Sequence, residues 1–503
     1  MPKRTRDFAA SIRSCRMIFI LLLAMLVSGC LPELPDEDPP PATPTPEVLP
    51  TEPLPTPVAT RPMYEPGELV DYIAQTGDDL PALAARFNTT VEEIRKANPI
   101  IPDSATTMPP GMPMKIPIYY RPLWGSAYQI IPDSLFINGP EQVGFDTVKF
   151  VDEHPGWLKN YVAFAGGKNR RGGEIIDFVA TNYSVSPRLL LALAEYEANA
   201  LSDSNPPADS HVFGKIDFRK EGFYRQLAWA ADVLNKGYYD YRAGKLLSFE
   251  HLDGRLERPD PWQNAATVAL QYFFSRTKSG DDYTRAISGA GIAQTYQELF
   301  GDPWADPKPH IPGSLEQPYL LMPFKPGPPW AFTGGPHNNW GEEDAPLSAL
   351  DFAPPATSSG CQPTDQWNIA VADGVVARKD VGTAVLDLDG DGDERTGWVI
   401  FYLHLETASI PPVGTHLSAG DNIGHPSCEG GTATGTHVHI ARKYNGEWIL
   451  AGGTLAFNLE GWIAHNGSAP YQGTLTRNGK TVTANTMSDG GSFIQAIGQV
   501  VVP

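Results

Sequence analysis

At 503 residues the chain exceeds what one hydrophobic core organises, and 41% hydrophobic with 10% aromatic residues is enough for two to four globular domains. A formal net charge of -20 argues against nucleic acid as a partner, because phosphate binding needs clustered Lys and Arg. Beyond that, the acidic surface mainly keeps a protein in solution.

The first elements set the compartment. Lys3, Arg4, Arg6, Arg13 and Arg16 precede an apolar run over residues 17–27 that is too short to span a bilayer. Leu26-Val27-Ser28-Gly29-Cys30 follows, small residues leading to a cysteine. Residues 1–29 therefore read as a secretory signal, and their end resembles the bacterial lipobox. That resemblance implies cleavage before Cys30, its modification by diacylglycerol, and a membrane anchor outside the cytoplasm. Residues 30–63 carry proline every few positions with little apolar mass, the composition of an extended tether. Of four cysteines, Cys15 leaves with the signal and Cys30 takes lipid. Cys361 and Cys428 are expected to pair, closing a loop worth roughly 4 kcal/mol of chain entropy. Each lacks a neighbouring cysteine for zinc.

Residues 64–120 predict a small α+β unit. Val70 to Ala74 alternate like a strand; Asp79-Leu80-Pro81 opens a helix with an acidic cap and an early proline. Thr89 or Thr90 caps a second helix ending near Asn98-Pro99, and Met114 to Ile118 form a closing strand. The order and the sequence GDDLPALAARFNTTVEEIRKANP resemble the lysin motif, LysM. The resemblance implies a groove for N-acetylglucosamine-containing glycan at Gly77, Asp78, Asn98, Pro99 and Ile100.

Residues 121–315 are mainly helical by pattern. Ser186-Pro187 starts a helix over 187–200. Further helices are predicted over 223–236, 262–278 and 292–300. In the first, Leu190, Leu193, Ala194 and Glu197 share one stripe, which would desolvate the Glu197 carboxylate and raise its pKa as a general acid requires. Glu195 lies about 160° away around the helix. The segment YSVSPRLLLALAEYEANAL resembles the catalytic helix of lysozyme-like lytic transglycosylases, with Glu197 in the place of their acid. Ala198 departs from the serine that usually follows.

Residues 307–329, rich in proline, are expected to bridge to a β-dominated region over 316–503. Here His337 lies in the turn-rich Gly334-Gly335-Pro336-His337, Asp351 in the strand-like Ser348 to Phe352, His404 in the strand-like Phe401 to Leu405, and His437 and His439 in Thr436 to Ile440. On a strand, positions i and i+2 project from one face roughly 7 Å apart. Both imidazoles of the HxH pair can then enter one site. Two His and a carboxylate make the three protein ligands of catalytic zinc, which leaves a position for water. These residues resemble the lysostaphin-type metalloendopeptidases (peptidase family M23), most closely the beta-lytic branch. Leu347 occupies the position four before Asp351, so the compact HxxxD form is absent. The GGPH turn a dozen or so residues before an S-A-L-D-F strand is that branch's arrangement. The resemblance implies an antiparallel, hybrid or barrel-sandwich-like peptidase fold, zinc ligands His337, Asp351 and His439, and His404 with His437 handling protons and the tetrahedral intermediate. His416, His425 and His465 lie outside the motif. Asp387, Asp389 and Asp391 resemble a calcium loop, but Trp398 stands where a bidentate Glu is needed, and an acidic hairpin is the simpler expectation.

The expected whole is a lipid-anchored peptidoglycan hydrolase, its partners glycan and stem or bridge peptide, its cofactor Zn2+ with Ca2+ as a candidate. A non-catalytic, amidase-regulating wall binder and a glycan-cleaving enzyme using Glu197 are the alternatives.

Overall fold

The computed structural model describes residues 61–341, 345–356 and 358–498. The signal peptide, Cys15, Cys30 and nearly all of the tether lie outside the described residues. Among the described residues no helix is long and apolar enough to cross a membrane.

The first unit follows its sequence closely. Strand β1 (Glu68–Ile73) pairs antiparallel with β2 (Pro113–Ile118) around α1 (Leu80–Phe87) and α2 (Val91–Ala97). Asp79 caps α1 by accepting the Ala82 N–H at 2.8 Å. Thr90 and Glu93 close a capping box on α2. Leu83, Phe87, Ile94 and Ile116 fill the interior.

The middle region runs through α3 (Asp133–Phe136), α4 (Thr147–Glu153), the hairpin β3 (Val162–Ala165) and β4 (Lys168–Arg171), α5 (Gly172–Tyr183), α6 (Pro187–Ala198), α7 (Phe223–Arg242), a short hairpin β5 (Phe249–Glu250) and β6 (Leu256–Glu257), then α8 (Ala265–Ser275), α9 (Gly280–Ala286) and α10 (Ile292–Phe300). Helix α10 has the expected limits. Helix α7 passes Lys236 because Gly237 is a packing residue and not a stop: a Cβ there would meet the Ala269 Cα at 2.8 Å. Trp262 stays outside α8, its Nε1 donating to the Asp71 carbonyl at 2.9 Å. Helix α5 is absent from the sequence-based elements; its opening Gly172-Gly173 hides a helix that buries Ile175, Ile176 and Val179.

The C-terminal region contains β7 (Trp330–Asn338), β8 (Leu347–Ala353), β9 (Asn368–Ile369), β10 (Gly374–Asp380), β11 (Thr383–Asp387), β12 (Trp398–Leu403), β13 (His416–Leu417), β14 (Asn422–Gly424), β15 (Val438–Tyr444), β16 (Glu447–Trp448), β17 (Asn458–Leu459), β18 (Trp462–Asn466), β19 (Gly473–Arg477), β20 (Lys480–Thr483) and β21 (Phe493–Ile494). Its main sheet has the order β13-β10-β11-β12-β15-β8-β7-β21, with β16 joined to β15, and its pairs are antiparallel. Period-two alternation divides the sheet's side chains between two cores. Leu350, Phe352, Ile400, Tyr402, Val438 and Ile440 enter a core internal to this region. Ala349, Val399, Phe401, Leu403 and Ala441 point the other way and share one core with the helices.

Residues 307–329 do not behave as a loose bridge. Ile311 and Leu315 pack against Ile449, and Leu320, Leu321, Met322 and Phe324 enter the sheet's inner core.

Candidate metal centre

Three neighbouring strands assemble the site. In the ladder His439 of β15 lies directly opposite Asp351 of β8, so both side chains emerge on one face. His337 reaches that face through a bulge. Gly334 pairs with Asp351 while His337 pairs with Ala349, which places one extra residue on β7. This corrects the turn expected for His337: the segment is an irregular strand. Gly334 is required by space, since a Cβ there would stand 2.6 Å from Asp351 Oδ2.

The donor atoms converge. His337 Nε2 and His439 Nδ1 lie 3.1 Å apart, and each is 3.2 Å from Asp351 Oδ1. All three residues are buried. The His337 Nδ1–H donates to the Gly335 carbonyl at 2.8 Å, and the His439 Nε2–H donates to the Asn339 carbonyl at 3.0 Å. Carbonyls only accept, so both protons are spent outward and the two inward nitrogens present lone pairs. Asp351 Oδ1 is buried and accepts no well-formed hydrogen bond. Three electron-rich atoms facing one another in a dry interior repel unless a cation lies between them. Edges of this length match ligands placed about 2 Å from a small divalent ion, the distance of zinc to nitrogen and oxygen. Burial pushes the Asp351 carboxyl up, but the neighbouring imidazoles of His337 and His437 hold it well below the ordinary carboxylate range.

His404 and His437 form the rim. Neither lies inside a regular strand. His404 follows β12 in a left-handed conformation, φ 64°, and His437 precedes β15, joined to Ser427 by an isolated bridge. Their ring centroids are 4.5 Å apart, and His437 Nε2 is 3.8 Å from Asp351 Oδ2. Their Nδ1 atoms donate to the carbonyls of Glu429 and Gly435 at 2.9 and 2.8 Å, which leaves each Nε2 as a lone-pair acceptor. Burial, with His437 and His439 alongside, pushes His404 down to about 3. A disulfide joins Cys361 and Cys428. It sits beside this rim: Ser427 N–H donates to the His404 carbonyl at 2.6 Å, and Thr436 Oγ1 donates to the Gln362 carbonyl at 2.6 Å.

Tyr471, from the loop between β18 and β19, stacks on His337 with centroids 4.1 Å apart. Nothing in the local sequence marks it, and the orienting carbonyls of Gly335, Asn339, Glu429 and Gly435 are equally silent there, because backbone groups have no residue signature.

The remaining sequence candidates lie elsewhere. Asp387, Asp389 and Asp391 form an acidic cluster in the β11–β12 hairpin. Their oxygens are engaged by the turn: Asp387 accepts Gly392 N–H at 2.8 Å and Asp391 accepts Asp393 N–H at 2.8 Å. Glu197 is ion-paired with Lys278 at 2.9 Å; burial raises its carboxyl and Lys278 opposes that. In the first unit, Asp78 is buried between Tyr72 and Arg86, Asn98 exchanges hydrogen bonds with the Lys115 backbone, and Gly77 faces the Arg242 guanidinium. Pro99 and Ile100 are exposed. His416 and His465 are exposed, and His425 packs on Trp367.

Comparison with known proteins agrees with this organisation. The LysM domain family matches residues 72–117, and the family described as LasA, N-terminal domain, matches residues 129–314. The likeness of α6 to lysozyme-like enzymes is not reproduced there. Protease LasA of Pseudomonas aeruginosa is 24% identical over 335 residues, 63% of this chain and 74% of that protein. The beta-lytic metalloendopeptidase of Achromobacter lyticus is 30% identical over 142 residues, 27% of this chain and 36% of that protein. The solved M23 metalloprotease pseudoalterin aligns with 33% of this chain and 96% of its own at 22% identity and a TM-score of 0.28. The chain thus carries a LysM domain followed by a LasA-type N-terminal domain, and its homologues are protease LasA and beta-lytic metalloendopeptidase.

Proposed function

We propose that this chain is an extracytoplasmic peptidoglycan hydrolase whose C-terminal region is a zinc endopeptidase cutting the peptide cross-links or bridges of the wall. One observation carries the reading: the inward, unprotonated atoms of His337, Asp351 and His439 lie within 3.2 Å of one another in a buried site. Zinc held there supplies Lewis acidity, lowering the pKa of water towards ~7 and polarising a carbonyl. The chain's own residues do the rest. Asp351 contributes negative charge to the ligand set, and the Gly335 and Asn339 carbonyls fix the tautomers of the two ligand imidazoles. His404 and His437 hold their Nε2 lone pairs toward the site, where one accepts the nucleophile's proton and then, as the imidazolium, donates that Nε2–H to the developing oxyanion or the leaving amine. Tyr471 keeps the His337 ring in plane. The names of the homologues, a protease and a metalloendopeptidase, support this chemistry. The LysM domain supports a wall substrate; with Gly77, Asp78 and Asn98 engaged internally, glycan contact falls to Pro99 and Ile100. A lipid on Cys30 would keep the enzyme at its own envelope.

The test combines metal analysis of the purified protein with mass spectrometry of digested peptidoglycan. Zinc near one equivalent and newly cut peptides are expected, and His439→Ala or Asp351→Ala should lose both. Full activity in either variant overturns the ligand assignment. Anhydro-muramyl or reducing glycan ends would point instead to Glu197, and no products at all to a binding protein.

A further inference from the structure

A cavity of about 500 Å³ opens at the end of the main sheet away from the metal centre. Trp398 and Tyr444 are paired across β12 and β15, their rings 5.2 Å apart, and Tyr319 closes the same space with Leu321 beneath. Asp373 and Asp389 stand at its edge, both exposed. One Asp373 oxygen accepts the Ala419 N–H at 2.8 Å, and one Asp389 oxygen accepts the Asp391 N–H at 3.3 Å.

We propose that this cavity is a glycan subsite that takes neutral amino-sugar units of the wall polymer. The chemistry selects the occupant. Aromatic walls cover the C–H face of a sugar ring, and carboxylates accept from hydroxyl and acetamido N–H groups. An anionic occupant is excluded by the two carboxylates, in a chain of net charge -20. A lysyl side chain would satisfy the carboxylates but leave most of the aromatic wall uncovered, whereas a cavity of this size suits a ring-shaped small-molecule ligand. The subsite lies on the same two strands as the site chemistry but on the opposite face of the sheet: Trp398 and Tyr444 share the side of Ile400, Tyr402 and Ile440, whereas His439 emerges on the side of Phe401 and Ala441. Leu403 pairs with His439 at one end of β12–β15, and Trp398 pairs with Tyr444 at the other. Five residues of strand separate them by roughly 17 Å. A wall polymer held by its glycan on one face stays at the enzyme while its peptide arms reach the other, so glycan binding raises cleavage of the intact wall without the two sites sharing a groove. The substrate class rests on the function proposed above.

Photochemical footprinting of the full, zinc-loaded chain with the N-acetylglucosamine tetramer tests the subsite without needing catalysis. Protection of Tyr319 and Trp398 is expected, in the wild type and in His439→Ala alike. In parallel, Tyr319→Ala and Asp373→Asn should lower kcat/KM on intact peptidoglycan by roughly three- to tenfold, with cleavage of a glycan-free wall peptide unchanged. No protection at these two residues overturns the proposal, as does equal loss on both substrates or protection by a lysine-containing peptide alone. If the wild type cuts neither substrate the endopeptidase reading falls, and the footprint still decides the subsite.

Discussion

Glu447 is buried where the helices meet the sheet, and its Oε2 accepts from His310 Nε2 at 2.6 Å, Tyr238 OH at 2.9 Å and Arg242 Nη2 at 3.1 Å. Removing its charge would leave the buried Arg242 with Asp133, 3.3 Å away, as its remaining carboxylate, so Glu447→Gln should cost about 3 kcal/mol, measured by urea unfolding. Burial raises this carboxyl, but Arg242 and His310 outweigh it and hold it at about 2, and Arg378 and Lys443 do the same for Glu394, also at about 2. Both values lie below the ordinary 4.5. The stabilisation they provide is therefore complete above about pH 4.5 and lost as pH falls towards about 2. Thermal melts across that window should show a steep fall, blunted in Glu394→Gln, which begins less stable. These contacts are illegible in the sequence: Glu447 and Arg242 are 205 positions apart.

Among the elements, the β15–β16 hairpin turn carries two duties. Asn445 and Gly446 have φ of 48° and 79°, the left-handed pair that a tight hairpin requires. A Cβ on Gly446 would stand 2.3 Å from the Asn138 carbonyl of the helical region. Gly446→Ala should thus cost at least about 2 kcal/mol, since both strain and a backbone clash oppose it; chemical denaturation measures it. The disulfide closes a loop with a sequence separation of 67, and Cys361→Ser with Cys428→Ser should remove about 4 kcal/mol. Because that loop supports His404 and His437, activity should fall more than zinc content does. Local signals made α1, α2 and α10 readable, through caps and stripes. The β7 bulge was not readable, because register depends on the neighbouring strand.

Across the whole molecule, the face of the sheet that carries the metal centre packs its apolar residues into the helices' own core. The LysM unit is tied in as well. Thr107 Oγ1 donates to the Pro312 carbonyl at 2.7 Å and accepts the Leu315 N–H at 3.0 Å, and Thr106 Oγ1 donates to the Leu315 carbonyl at 2.6 Å. Trp262 sits edge-on to Phe87, 4.9 Å between centroids. Calorimetry should therefore show one unfolding transition for the helical and sheet regions together; two well-separated transitions would contradict a shared core. Thr107→Val should raise amide exchange at residues 311–315 while leaving the metal centre intact.

Residue type and spacing were enough to identify the LysM unit and the β-rich end, and to single out the histidines and the aspartate that the fold then brings together, because caps, stripes and short motifs are local chemistry. How those histidines meet was settled by long-range geometry: a bulge beside Gly334, carbonyls that orient each ring, and Tyr471 arriving from a distant loop. The same holds for the glycan residues expected at Gly77, Asp78 and Asn98, which the fold engages internally. Burial and register are properties of the packed chain, and a segment carries no record of the surface that will cover it.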